Sequence, residues 1–254
     1  MESSEIGRQT LGVEFRPCRS HADFRACMAI QRATWNAPDL DVPFALFVVE
    51  SETGGQVIGA FEQDRMVGYV LALPALRDGG VYLHSHMTAV TASAQNRGIG
   101  RGLKRAQRRD ALERGIDLIE WTFDPLEIRN AHFNLMRLGA VVRRYKPNCY
   151  GITASPLHGG LPTDRLVAEW ELQSPRAERC MRDEPPLARY GDRAERVALP
   201  ASINEIRRSD PAQARQIQDR VREELQGWLG MGYEAVAVET SEAVAEYILE
   251  PRKA

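Results

Sequence analysis

Short runs of apolar residues, separated by polar or glycine-rich turns, divide the first half of the chain into alternating strands and helices. Ser20 is a candidate N-cap for the first helix. The predicted elements are a strand at 13–18, a helix at 21–35, a hairpin of strands 57–62 and 66–73, a strand at 81–90, a helix at 101–114 and a strand at 116–123. Because a strand–helix–strand order forms a crossover unit, the strands 81–90 and 116–123 are expected to lie parallel.

The second half continues this alternation and then changes in composition. Residues 174–194 are rich in charge and proline, which predicts a linker or surface loop. The other predicted elements are a helix at 128–138 closed by Gly139, strands at 141–150 and 166–172, a strand at 197–203, a helix at 211–229 and strand-like runs at 233–238 and 243–249. Asp210 and Pro211 open the long helix, and its apolar stripe predicts that it packs on a sheet.

Composition is that of a globular protein of one large domain or of a core with an addition. The chain has 254 residues, 43% of them apolar and 27% charged, with a net charge of -2. This balance gives no bias toward nucleic acid or membranes as partners. The N-terminus lacks the pattern of a signal peptide, and no apolar run approaches the roughly 18 residues of a membrane span. We therefore expect a cytoplasmic protein.

Metal and disulfide chemistry have little support in the cysteine pattern. Cys18, Cys27, Cys149 and Cys180 form no C-x-x-C pair, and their spacing fits no zinc site. Each is expected to be a small buried or half-buried residue, and no metal cofactor is expected.

The glycine-rich turn at 95–100 is the strongest chemical signal in the chain. Gly98 and Gly100 let the backbone approach a bound group closely, and the N–H groups at the start of the following helix favour an anion such as phosphate. Two known phosphate loops do not fit. A dinucleotide fingerprint starting at Gly98 would need glycine where Leu103 stands, and no Gly-Lys-Ser/Thr triplet of a P-loop follows.

The segment from Val90 to Gly100 fits the pattern V-x-P-x-x-(Q/R)-x-x-G-x-G, with Ala92 in place of the frequent proline. It resembles the coenzyme A pyrophosphate loop of the GNAT superfamily of acyltransferases. A second family pattern, N-x-x-A-x-x-x-Y-x-x-x-G-F, is matched in part by Ala131 and Gly139, whereas Leu135 stands for the tyrosine. Ala140 replaces the phenylalanine. The resemblance covers about residues 13–172 and looks like a bacterial subgroup with a C-terminal extension.

The resemblance implies an α/β (α+β) fold, with a GNAT-type mixed central sheet flanked by helices and a C-terminal helix/strand addition. It implies a GNAT-like acyl-CoA-binding catalytic domain at 1–172, and residues 173–254 are then an extension packing on it. The extension would cover the acceptor site or mediate a homodimer. The implied activity is N-acyl transfer, of acetyl or a larger acyl such as succinyl, from acyl-CoA to the amine of a small molecule, with amino acids among the acceptors. Protein N-acetylation and a non-catalytic, regulatory CoA-binding module are the alternatives.

Cofactor contacts are implied for the turn and its surroundings. Arginine pairs with phosphate in a fork, so Arg97 and Arg101 are preferred for direct contact, while Lys104, Arg105, Arg108 and Arg109 can equally form a solvated helix face. The implied cofactor-binding residues are Ala89, Val90, Gln95, Asn96, Arg97, Gly98, Ile99, Gly100, Arg101, Gly102 and Asn130, with Asn134 as an alternative to Asn130.

Acyl transfer also needs a base for the amine and a way to release the thiolate. His86 and then His84 are the first candidates for the base, because they stand two apart on a strand and face the same side. Structural histidines in a core are the alternative. Asp124 and Glu120 are rival carboxylates, although Asp124 can also be only a turn residue.

The family's usual acid position is Leu135, so Tyr145, Tyr150 or unassisted departure of the thiolate must replace it. Three arginines are candidates for carboxylate recognition: Arg143, Arg144 and Arg165. By the same resemblance, Trp35 and the loop 36–43 would contact the acceptor, or Trp35 only packs beneath the loop.

Overall fold

The structure is a computed structural model that describes residues 12–36, 41–153, 159–186 and 189–252. The chain forms two compact units, residues 1–116 and 117–254. Each unit contains a β-sheet with helices packed on it, so the predicted α/β class is confirmed. The predicted domain boundary after residue 172 and the predicted parallel pairing of 81–90 with 116–123 stay predictions.

The described strands of the first unit follow in the order β1-β2-β3-β4, and each runs antiparallel to its neighbour within the unit. Pro17 lies at the end of an edge strand, where a missing N–H costs least. The elements are β1 (Val13–Pro17), α1 (His21–Trp35), α2 (Phe44–Glu52), β2 (Gln56–Glu62), β3 (Arg65–Arg77), β4 (Gly80–Val90) and α3 (Ile99–Glu113).

Local signals explain which of these elements were predictable. Helix α1 has the predicted bounds because Ser20 and Asp23 form a capping box, each side chain accepting the other's backbone N–H at 3.1 Å. Helix α2 was missed, because its sequence FALFVVESE opens on a nearly continuous apolar run without a helical period.

The two faces of this sheet carry separate cores. Alternate strand residues such as Tyr69 and Leu71 pack with Phe24 and Phe47 of α1 and α2. Residues of the opposite parity, such as Val70, pack with Ile99 and Leu103 of α3. The alternation of a strand thus places α3 on one face and α1 with α2 on the other.

The described strands of the second unit follow in the order β5-β7-β6-β9-β10-β8. Its elements are β5 (Leu118–Phe123), α4 (Ile128–His132), β6 (Val141–Lys146), β7 (Arg165–Glu171), α5 (Pro175–Met181), β8 (Glu195–Pro200), α6 (Ile203–Ser209), α7 (Pro211–Gly230), β9 (Tyr233–Thr240) and β10 (Val244–Pro251). Among the residues described, no helix is both long and apolar enough to cross a membrane.

Several predictions for this unit were wrong in type or length. The predicted loop 174–194 contains α5, which starts at Ser174 as N-cap with Pro175 in its first turn. Helix α6 was missed behind a strand predicted to reach residue 203. The predicted helix 128–138 continues past α4 as one π-helical turn at Phe133–Arg137, and β6 ends at Lys146 rather than residue 150.

Residues beyond 172 continue the sheet of the second unit. Strand β9 pairs antiparallel with β6 through Val142 and Ala235, and β10 and β8 follow outward. Helix α7 has the predicted Asp210 cap, and its buried positions include Val221 and Leu225. The prediction that this helix packs on a sheet is confirmed, since it lies against β6, β8 and β9.

Candidate functional site

The turn between β4 and α3 is open to solvent around Gly98. Gly98 has φ of +81°, and a Cβ built there would meet no atom within 4 Å. Only a residue without a Cβ takes this left-handed conformation without strain. Helix α3 begins at Ile99, two residues earlier than predicted, so the N–H groups of Ile99 and Gly100 lie in its first turn. The amide Nε2 of Gln95 donates to the carbonyl of Val90 at 3.2 Å and ties the turn to the strand.

The predicted cofactor residues of this turn differ in their exposure to solvent. Gln95, Asn96, Arg97 and Gly98 are exposed, Gly100, Arg101 and Gly102 are half-buried, and the side chain of Ile99 is buried. The N–H of Gly102 donates to the carbonyl of Gly98 inside the helix. A Cβ at Gly102 would lie 2.1 Å from the ring of Phe15, so this glycine permits close packing and its N–H is not available to a ligand. Arg97 is ion-paired with Glu62.

Lys104 does not lie on the solvated face predicted for it. It is 3% exposed, and its ammonium donates to the hydroxyl of Ser85 at 2.8 Å and to Oε1 of Gln107 at 2.9 Å. Burial lowers the pKa of Lys104 from 10.5 to about 7. The signal was present in the sequence, because Gly100, Lys104, Gln107 and Ala111 follow the spacing of the buried stripe of α3.

The two predicted base candidates lie next to each other on β4. The ring centroids of His84 and His86 are 6.3 Å apart. Leu71 pairs with Met87 and Ala72 with Ser85, so His86 is the extra residue of a β-bulge. His86 is exposed and His84 half-buried. Partial burial nevertheless lowers the pKa of the His86 imidazole below 6.5.

The end of β4, where the acyl carbonyl was expected, lies against a glycine of β3. Ala89 is 4% exposed and Val90 is half-buried. A Cβ at Gly68 would come within 2.8 Å of the carbonyl oxygen of Ala89. The absence of a side chain at Gly68 therefore allows the two backbones to lie close together at this point.

The rival carboxylates of the second unit are held by arginines. Asp124 accepts from the N–H of Leu126 at 2.8 Å and from Arg207 at 3.0 Å. Glu120 is 2% exposed and pairs with Arg144 at 2.7 Å. Both carboxylates thus have strong partners inside the protein, and Asp124 has the geometry of a turn residue.

Helix α4 and the π-helical turn carry the remaining cofactor candidates. Asn130 is exposed, whereas Asn134 is 3% exposed and accepts from the indole N–H of Trp121 at 3.2 Å. Leu135, in the tyrosine position, is fully buried. Of the two asparagines, only Asn130 presents its side chain to a ligand.

The two candidate tyrosines for the acid differ in the same way. The hydroxyl of Tyr145 donates to Asp164 at 2.6 Å, and burial together with that carboxylate raises its pKa. Tyr150 is 44% exposed, with its hydroxyl 3.3 Å from Oγ1 of Thr122 on β5. The guanidinium of Arg165 lies 5.5 Å from the centre of the Tyr150 ring.

Two of the arginines considered for carboxylate recognition are occupied by the protein's own carboxylates. Arg143 bonds to Glu169, Glu171 and Glu234 at 2.6–2.9 Å. Arg144 bonds to Glu169 at 3.0 Å in addition to Glu120. Because these ion pairs join strands of the sheet, Arg143 and Arg144 have a structural role, and their role in carboxylate recognition stays a prediction.

The first unit also has a cleft of about 580 Å³ between α1 and the start of α2. Its lining includes Arg32, Asp41 and Phe44, with Arg32 and Asp41 in a 3.1 Å ion pair. Buried Gln31 fixes the adjoining backbone through two hydrogen bonds, at 2.9 and 3.2 Å, to the carbonyl and N–H of Val42. Trp35 packs partly against the core, and residues 37–40 of the predicted acceptor loop lie outside the described residues.

A sequence model described as the acetyltransferase (GNAT) family matches residues 22–139. This segment, somewhat less than half of the chain, is similar to the GNAT acetyltransferase family. The matched range contains the glycine turn, both histidines and Asn130, and it ends at Gly139, so that α5 to α7 and β6 to β10 lie beyond the GNAT match. No curated protein matches the chain.

Solved GNAT structures are similar to this chain in fold. Naa50 of Arabidopsis thaliana, in complex with a bisubstrate analogue, is 13% identical with a TM-score of 0.51, over 63% of this chain and 98% of that one. The ribosomal-protein-S18-alanine N-acetyltransferase of Escherichia coli is 13% identical with a TM-score of 0.50, over 71% and 97%. NAA60 of Arabidopsis thaliana is 15% identical with a TM-score of 0.51, over 62% and 97%.

Proposed function

We propose that this protein is an N-acyltransferase that moves an acyl group, acetyl or a larger one such as succinyl, from acyl-CoA to the amine of a small molecule such as an amino acid. The observation that carries the proposal is the left-handed Gly98 at the N-terminus of the fifteen-residue helix α3. This arrangement aims backbone N–H groups and the positive end of a helix dipole at one open point. The pyrophosphate of acyl-CoA is the anion that the family resemblance implies for it.

In this proposal, the N–H groups of Ile99 and Gly100 hold the pyrophosphate. Arg97 and Arg101 are the side-chain contacts, and Arg97 is ion-paired with Glu62. The backbone at Ala89 and Val90 receives the acyl carbonyl, whose oxygen gains charge in the transition state. Asn130, exposed on α4, is the further cofactor contact.

We assign the base to His86. Its pKa lies below 6.5, so the imidazole is neutral at pH 7 and can accept a proton from the acceptor's ammonium, directly or through water. His84 is the neighbouring alternative. Asp124 is disfavoured because its carboxylate already accepts from Arg207 and from a backbone N–H.

For the departing thiolate, Tyr150 is the better of the two candidate tyrosines. Its hydroxyl is accessible, whereas the hydroxyl of Tyr145 is committed to Asp164. The acceptor is assigned to the cleft beside α1, which is lined by Asp41 in its ion pair with Arg32 and by the ring of Phe44.

Thermal unfolding with CoA, acetyl-CoA and succinyl-CoA, each at about 1 mM, tests the binding step. A ligand at about 100 times its dissociation constant stabilises the native state by about 2.7 kcal/mol. We expect a stabilisation that Gly98→Ala weakens and the control Gly227→Ala, at an exposed position in α7, leaves unchanged. Absence of any shift with all three ligands would refute acyl-CoA binding by the wild type.

Turnover then separates the enzyme from the second candidate function, a non-catalytic CoA-binding module. The buried Leu135 in the tyrosine position favours that candidate. For an enzyme, His86→Gln should lower acyl transfer by about 10²–10⁴ and abolish the acidic limb of the pH profile. A protein that binds acyl-CoA but transfers its acyl group to no amine in a broad panel would be a binding module.

A further inference from the structure

Residues beyond the family match hold the loop that follows β5. Arg207 of α6 is 5% exposed and donates to Asp124 at 3.0 Å and to Glu127 at 3.2 Å. Asn204 of the same helix donates to Glu127 at 3.4 Å, and the buried hydroxyl of Tyr247 on β10 donates to the carbonyl of Pro125 at 2.7 Å. The loop 124–127 is therefore bonded to two elements of the extension.

Asp124 transmits this contact to the backbone. One carboxylate oxygen accepts from Arg207, and the other accepts from the N–H of Leu126 at 2.8 Å. The N–H of Glu127 in turn donates to the carbonyl of Asp124 at 3.0 Å. The guanidinium bridges the carboxylates of Asp124 and Glu127 and thus fixes the turn from which α4 starts.

The far end of the same segment is also anchored from the extension. Arg176 of α5 donates to the carbonyls of Leu135, Gly139 and Ala140 at 2.8–3.3 Å. It also donates to Val236 of β9 at 2.6 Å. Leu135 lies in the π-helical turn, and Gly139 and Ala140 follow it. Carbonyls at the end of a helix have no N–H group of a following turn to accept from. Both ends of the segment 124–140 are thus held by residues after 172.

We propose that Arg207 is a positioning residue for acyl transfer, acting through Asp124 to orient helix α4, which carries the proposed cofactor contact Asn130. The extension is then part of the catalytic unit and not an appended module. This role rests on the proposed function, because it requires that the chain bind acyl-CoA.

The test measures the dissociation constant of acetyl-CoA by calorimetry at 15 °C, with kcat and KM where turnover is found. The variants are Arg207→Met, Arg207→Lys, Asp124→Asn and the double variant Arg207→Met/Asp124→Asn. Arg215→Met is the control, because Arg215 forms an exposed pair with Asp219 on α7. Amide hydrogen exchange of residues 126–139 without ligand is recorded for every variant.

We expect Arg207→Met to weaken acetyl-CoA binding at least tenfold and to speed exchange at Leu126 and Glu127. Arg207→Lys should recover part of the affinity, since a lysine can bridge one carboxylate but not both. The double variant should be no weaker than Arg207→Met, because the two residues act as one unit. Arg215→Met should bind like the wild type.

A purely structural role makes a different prediction. In that case, Arg207→Met would lower the unfolding temperature but keep the affinity, kcat and KM of the wild type at 15 °C, and the proposal would be overturned. Should Arg207→Met not fold, Arg207→Lys and Asp124→Asn decide by the same measures. If the wild type itself fails to bind acyl-CoA, the proposed function and this role fall together, while hydrogen exchange still reports whether the arginine holds the loop.

Discussion

Lys104 makes the free energy of unfolding of this protein rise with pH in the alkaline range. The unfolded chain retains the lysine proton up to about pH 10.5, whereas the folded protein loses it near pH 7, because the ammonium is buried among Ser85, Gln107 and the core of α3. Between these values the unfolded state binds more protons, so stability rises with pH. It is greatest above pH 10.5 and is lost as pH falls toward 7.

The size of the effect follows from the two pKa values. The step from 10.5 to about 7 corresponds to about 5 kcal/mol at about 1.36 kcal/mol for each unit of pKa. Between pH 7 and pH 10, which is a practical range, we expect a gain of about 3–4 kcal/mol. Replacing Lys104 by Met removes the titrating group at nearly constant length.

The assay is urea unfolding of the wild type and Lys104→Met at intervals from pH 6 to pH 10. Loss of the hydrogen bonds to Ser85 and Gln107 lowers the variant's free energy of unfolding by the same amount at every pH, because the energy of these bonds does not depend on pH. The difference between the two proteins should therefore change by about 3–4 kcal/mol across the range. Arg109→Met, at an exposed position on the same helix, should run parallel to the wild type. If the difference in free energy of unfolding between wild type and Lys104→Met stays constant within about 1 kcal/mol from pH 6 to pH 10, the argument is refuted.

Three further predictions concern single contacts. Burial alone would raise the pKa of Asp23, but hydrogen bonds from Arg16 and backbone N–H groups lower it to about 2. Asp23→Asn should therefore lower the free energy of unfolding by about 2 kcal/mol at pH 7 and leave it unchanged below pH 2, as measured in acid titrations. Gly98→Ala should destabilise the protein by about 1 kcal/mol through its left-handed backbone, whereas Gly227→Ala in α7 should stabilise it by a similar amount in the same melting experiment. Gln31→Leu leaves Val42 without two hydrogen bonds and should cost about 2–3 kcal/mol in urea unfolding.

Elements with local signals could be predicted from the sequence. The capping box at Ser20, the two-residue turn between β2 and β3, and Asp210 at the start of α7 each depend on neighbours within four residues. Helices α5 and α6 were missed because seven residues make fewer than two turns, too few for the periodicity of an apolar stripe to be visible. Helix α2 was missed because its apolar run has no helical period.

The same distinction applies to the candidate site. The glycine turn at 95–100 and the paired histidines of β4 are contiguous in sequence, so their spacing alone places them together. The environment of a charged side chain depends instead on distant residues. Lys104 is buried against Ser85 of another element, and Asp124 is held by Arg207 of α6, 83 positions away.

The sequence by itself therefore determined the class of fold, the resemblance to the GNAT family over residues 22–139 and the turn at Gly98, because turns, caps and apolar alternation act over a few residues. The tertiary structure decided which polar groups remain available for chemistry. It paired Arg143, Arg144 and Asp124 with partners inside the protein, buried Lys104, and left His86 and Tyr150 accessible. The physical reason is that the free energy of a charge depends on its burial and its partners, and both are set only when distant segments pack.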